Sequence, residues 1–106
     1  EFVMSLEKFH KENNVSALDV AKALLDFGIH PPTMYFPLIV SEALMVEPTE
    51  TESRETLDEA IAAFRQIYDS IISSPESVSA SPVTTPIRRL DEVKAAREPV
   101  LKFEFK

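Results

Sequence analysis

Hydrophobic and polar positions alternate in short blocks, each with its own period. Phe2, Val3, Met4 and Leu6 fall within EFVMSLEKF, which is rich in strand formers and ends as charge appears; it predicts a strand over 1–9. KENN, at 11–14, reads as a turn. A helix follows, with Leu18, Ala21 and Leu25 at helical spacing and Ala17 and Leu24 flanking them. Ser16 is placed to cap it, with Asp19 at the third position of a capping box and Val15 and Val20 as a hydrophobic staple. Gly28, the chain's one glycine, is placed to end it in a left-handed conformation.

HPPTMYFP, at 30–37, breaks that pattern. His30 and Pro31 each precede a proline and are pushed toward extended geometry. Pro37 cannot donate to a sheet ladder, so TMYF or PLIV predicts an edge strand. ALMVE is the next strand, ended by Pro48. A long helix then carries Leu57, Ala60, Ile61, Phe64, Ile67, Tyr68 and Ile71 on one wide face, leaving Asp58, Glu59, Arg65 and Asp69 to solvent. Thr49 with Glu52, or Thr51, predicts its cap.

From Ser73 to Pro86, serine, threonine and proline predominate and predict a linker. RRLDEVKAAR predicts a short charged helix ended by Pro99, and VLKFEFK a final strand or docking tail. The expected division is a core over 1–72, a linker over 73–87 and a helix with tail over 88–106. The order β-α-β(β)-α predicts an α+β fold, a two-layer sandwich of a small antiparallel sheet with helices on one face.

The 106 residues fit one domain, and the 44% hydrophobic and 27% charged contents are those of a globular one. Eleven basic against eighteen acidic residues give a net charge of −7, which opposes nucleic acid and anionic membrane as partners. The absence of cysteine excludes disulfides, thiolate metal sites and a Cys nucleophile. MYFPLIV is far too short to span a bilayer, and the first residues lack the basic leader of a secretion signal.

Catalytic motifs are missing. One glycine rules out a phosphate loop, and His10 and His30 stand twenty residues apart without the spacing of a zinc site. The acids and hydroxyls of EPTETE are accounted for by helix-start chemistry, and Arg88 and Arg89 by salt bridges to the adjacent Asp91 and Glu92. His30 is different: two prolines hold it extended, which suits either a ligand contact or a stiff loop packed on Tyr35 and Phe36.

GIHPPTMYFPLIV, EALMVEPTETESRETLDEAI and TTPIRRLDEVKAAREPVL, with EFVMSL and NVSALDVAK before them, resemble the C-terminal part of the glycine cleavage P-protein, subunit 2 of the two-subunit bacterial glycine dehydrogenase (decarboxylating). The serine-rich SSPESVSASP and the terminal KFEFK depart from the family pattern. The resemblance implies the small C-terminal domain of a fold-type I pyridoxal-phosphate enzyme. That family decarboxylates glycine and passes the aminomethyl group to the lipoyl arm of the H-protein. It implies as partners the large domain of the same subunit, P-protein subunit 1 and the H-protein, with cytoplasmic placement.

No residue here is expected to be catalytic, to bind the cofactor or to hold a metal. None of Lys8, Lys11, Lys22, Lys94, Lys102 and Lys106 sits in a motif like that of the family's cofactor lysine, so this chain alone is expected to be inactive. The resemblance places His30 and Thr33, then Glu47, Thr49 and Glu50, at the seam between domains or beside the substrate channel. Apolar surface from MYFPLIV or the first helix should then be exposed here and covered in the parent. The competing reading is a stand-alone α+β module that binds a protein through its acidic surface and tail.

Overall fold

The computed structural model describes residues 1–105. Its order is β1 (Phe2–Ser5), α1 (Glu7–Asn13), α2 (Ala17–Asp26), β2 (Thr33–Met34), β3 (Ala43–Val46), α3 (Arg54–Ser73), α4 (Pro75–Ser79) and α5 (Glu92–Arg97). The fold is α+β, with a three-stranded antiparallel sheet in the order β1-β3-β2. Register sets Met4 opposite Leu44 and Leu44 opposite Met34. That row packs into a core with Leu6, Val15, Val20 and Leu24 from the first half and Ile67, Ile71 and Val78 from the second. Val15, Leu24 and Leu44 are completely buried, each contributing about 1.5–3 kcal/mol.

The capping box on α2 forms as its sequence predicts: the Asp19 amide donates to Ser16 Oγ, and the Ser16 amide donates to Asp19 Oδ2. At the other end Gly28 takes φ +70°. Its amide donates to the Leu25 carbonyl and that of Ile29 to Leu24, the paired bonds of a Schellman stop.

Several elements differ from expectation. The first strand stops at Ser5, and Glu7–Asn13 is helix. The apolar opening hides a helical spacing, in which Glu7 and Lys11 pair at i,i+4 and Leu6 and Phe9 lie toward the core. Asn14 closes this helix with φ 55°, a conformation asparagine tolerates. The edge strand is only Thr33–Met34, and residues 37–42 turn back toward β3. Neither Thr49 nor Thr51 caps the long helix. Their hydroxyls bond each other at 2.6 Å within a turn closed from the Glu52 amide to the Thr49 carbonyl, and Ser53 caps by accepting from the Thr56 amide.

The serine-rich stretch packs instead of trailing. Ser73 completes α3, Pro75 starts α4 at a position where its missing N–H costs nothing, and Val78, Ser81 and Pro82 are buried. The last helix starts at Glu92, capped by Asp91. Arg89 turns away from Asp91 and Glu92 to meet Asp19 Oδ1 at 2.7 Å, while its Nε donates to the Ser81 carbonyl. Residues 100–105 form no strand, and Lys106 lies outside the described residues. Val100, Leu101, Phe103 and Phe105 are exposed. The radius of gyration is 15.6 Å, against about 13 Å for a compact chain of this length.

The loop between β2 and β3 is tied to α2. Tyr35 (φ 56°) and Glu42 (φ 50°) both adopt left-handed backbone, at about 1–2 kcal/mol each. Glu42 Oε2 accepts from the Ala17 amide at 2.6 Å and the Tyr35 hydroxyl from the Leu18 amide at 3.4 Å. With Ser16 on the Asp19 amide, the first three amides of α2 are all satisfied by side chains.

Two carboxylates fasten the C-terminal segment. Burial works against ionising Asp19, but the Ser16 amide and the Arg89 guanidinium outweigh it and hold its pKa below the usual aspartate range. Asp26 is lowered likewise: slight burial is outweighed by the Thr84 amide and hydroxyl and the Val83 amide. A depressed folded-state pKa stabilises above the unfolded value, and that contribution is lost as pH falls through the folded one. Thermal stability should therefore hold from neutrality to about pH 4 and fall below it. Asp19→Ala should cost about 2 kcal/mol in urea denaturation at pH 7 and flatten the acid limb. Gly28→Ala, at a site with open space but left-handed backbone, should cost about 1 kcal/mol in the same assay.

Candidate functional site

An open groove of about 820 Å³ lies between the segment that leaves α2, the end of β3 and the N-terminal half of α3. Each wall follows from a local sequence feature. The Schellman stop at Gly28 swings the chain out of α2, and Pro31 and Pro32 stiffen it, so that His30 and Thr33 line one side. β3 runs out at Pro48 and sets Glu47 on the second side. The third is a face of α3 with the turn before it, where Glu52, Thr56, Glu59, Ala60 and Ala63 recur at helical spacing. Phe64, part of the core on its inner edge, lines the groove as well.

Of the five expected seam residues, His30, Thr33 and Glu47 share this groove. Thr49 and Glu50 lie outside its lining, exposed in the turn before Ser53. From sequence, Glu52 belongs to the helix start and Glu59 to the solvent face, and Thr56 is not singled out, although their spacing of four and three residues aligns all three on one surface. That spacing is the signal that reveals them.

Three carboxylates, one imidazole and two threonine hydroxyls rim an apolar floor, and no lysine or arginine lines the groove. Pyridoxal phosphate needs an amine for its covalent link and cationic or amide donors for its phosphate. This donor set does not fit it: the carboxylates repel the phosphate and no amine is present. Among the described residues no group of three or more His, Asp and Glu side chains is placed to hold a metal ion. No helix among them is long and apolar enough to cross a membrane. What the groove offers is a stiff, acidic, apolar-floored wall.

The rim and floor should separate in mutagenesis. Phe64→Ala should cost about 3 kcal/mol in urea denaturation, because the ring also seals the core. Glu47→Gln, fully at the rim, should shift stability by less than about 0.5 kcal/mol.

Comparison with known proteins gives the family. Residues 1–88 match a family model described as glycine dehydrogenase, C-terminal domain. The chain is 56% identical over 105 residues, 99% of its length, to a protein of Thermosipho melanesiensis named "Probable glycine dehydrogenase (decarboxylating) subunit 2". Proteins of the same name from Treponema denticola and Bacillus velezensis are 59% and 58% identical, each over 98% of the chain. The chain spans only about a fifth of their length, 22%, 22% and 21% in turn.

Proposed function

The chain belongs to the glycine dehydrogenase C-terminal domain family, and from that premise we propose that it is the small domain of a decarboxylating glycine dehydrogenase, forming one wall of a site completed by a larger domain. The observation that carries this reading is the near-complete match to about one fifth of relatives bearing that name. The larger domain holds pyridoxal phosphate, whose electron-withdrawing ring supplies the decarboxylation chemistry. The aminomethyl group then leaves on the lipoyl arm of the H-protein, and P-protein subunit 1 completes the cytoplasmic enzyme.

In this scheme the residues here position and exclude; they do no bond chemistry. The 28–33 segment, stiffened by Pro31 and Pro32, holds His30 and Thr33 toward the seam, where they meet polar groups of the substrate. Glu47 stands beside them, and Thr49 and Glu50 meet the larger domain farther out. The apolar floor of Met45, Leu57 and Phe64 excludes water from the channel. The carboxylates repel free phosphate and leave the cofactor's anion to the other domain.

Two measurements test this. Titrated with pyridoxal phosphate, the 106-residue chain should leave the cofactor's absorbance unchanged and exchange no label between bicarbonate and glycine. A yellow shift or measurable exchange would contradict the division of labour. In the complete enzyme His30→Ala should lower turnover about tenfold or more while moving the melting temperature by no more than a degree or two, since the side chain is exposed here. Unchanged turnover with an unchanged melt would reduce His30 to scaffold.

A further inference from the structure

The segment from Pro31 to Ser41 contains no charged residue. At its tip Leu38 and Ile39 are 86% and 94% exposed, and Phe36 beside them is 51% exposed. Adjacent aliphatic side chains so fully in water are ordinary on a floppy terminus, but this loop is braced. The Tyr35 amide donates to the Ala43 carbonyl at 2.8 Å and the Val40 amide to the Pro37 carbonyl at 3.0 Å. The Ser41 and Glu42 carbonyls accept from Ser5 Oγ and the Leu6 amide. Tyr35 and Glu42 hold strained left-handed backbone at its two ends while their side chains cap α2. Strain of that kind persists only where the surroundings enforce a shape.

We infer that residues 36–40 form a preformed apolar plug that seats in a socket on the larger domain of the same subunit. This deepens the seam reading above and rests on it. The length of chain outside this one favours an intrasubunit partner, since relatives carry nearly four fifths of their length elsewhere. A membrane surface is disfavoured because the charged neighbours in sequence, Glu42 and Glu47, are acidic and the chain carries net charge −7. A braced plug loses little conformational freedom on docking, so its apolar burial is not offset by ordering.

The chain has no cysteine of its own, so a thiol placed in it is identified by its own peptide. Leu38→Cys in the complete subunit, labelled with a maleimide and mapped by mass spectrometry, should react at least about tenfold more slowly than in the urea-unfolded subunit. Glu76→Cys, on the exposed first turn of α4, gives the reference for a folded but open position. Leu38→Asp/Ile39→Asp should raise tryptic cleavage between the domains while leaving hydrogen exchange of α2 unchanged, whereas Leu38→Met/Ile39→Leu should behave as the parent. Labelling of Leu38→Cys at the rate of Glu76→Cys would overturn the inference. So would protection that vanishes on dilution, which would assign the loop to a contact between copies. Labelling is independent of turnover, so a protected thiol in an inactive subunit sinks only the catalytic reading, and an open thiol in an active one sinks only the plug.

Discussion

The structure depends on how the N-terminus of α2 is satisfied. A helix start leaves amides without intrahelical partners, and here three side chains from two places in the chain supply them: Glu42 to Ala17, Tyr35 to Leu18 and Ser16 to Asp19. Asp19 completes the box and also receives Arg89 at 2.7 Å. One helix end therefore joins the loop between β2 and β3 to the segment after α4, while Asp26 at the other end grips Val83 and Thr84. Every buried side-chain polar atom among the described residues has a partner. For a chain with one glycine and a modest core, these polar ties fix relative positions that apolar packing alone leaves loose.

Rigidity of that kind extends to the groove. The groove beside α3 has its polar groups on stiff elements: His30 and Thr33 around two prolines, Glu47 at the end of a strand, Glu52, Thr56 and Glu59 along the turn and helix of α3. Their chemistry is that of carboxylates, hydroxyls and one imidazole, with no lysine or arginine to receive a phosphate. In the proposed division of labour the cofactor and its anchor are accordingly assigned to the remaining four fifths or so of the relatives' length. Apolar side chains are exposed at Leu38 and Ile39, and along Leu57, Ile61 and Tyr68 of α3, surface of the kind that partner contacts cover.

How much of this was legible in the sequence depended on whether the signal was local. The α2 helix with its box and Gly28 stop could be read because each part lies within a few residues of the others. The α+β class and the edge position of β2 followed from Pro37 and the block order. The helix at Glu7–Asn13 was masked by the apolar run before it, and the Ser53 cap by two threonines that spend their hydroxyls on each other. Arg89 looked committed to Asp91 and Glu92; only the fold reveals that Asp19, seventy residues earlier, is within reach. Serine-rich composition suggests a linker, yet Val78 and Pro82 are buried and Asp26 holds the amides of Val83 and Thr84, contacts that only the fold reveals. In the groove, His30 stood out through its prolines, whereas Glu52 and Glu59 did not, because acids near a helix start already have a sufficient explanation in the helix dipole.

Native-state hydrogen exchange of the Ala17, Leu18 and Asp19 amides tests the central claim most directly. Helix-start amides ordinarily face solvent and exchange quickly. If the α2 terminus is the joint that welds loop, sheet and C-terminal segment together, these three should exchange only through global unfolding, at the rate of the core amides of Leu24 and Leu44, and together lose that protection when Glu42 is replaced by alanine. Exchange of all three at near-peptide rates, with the core still protected, would contradict it.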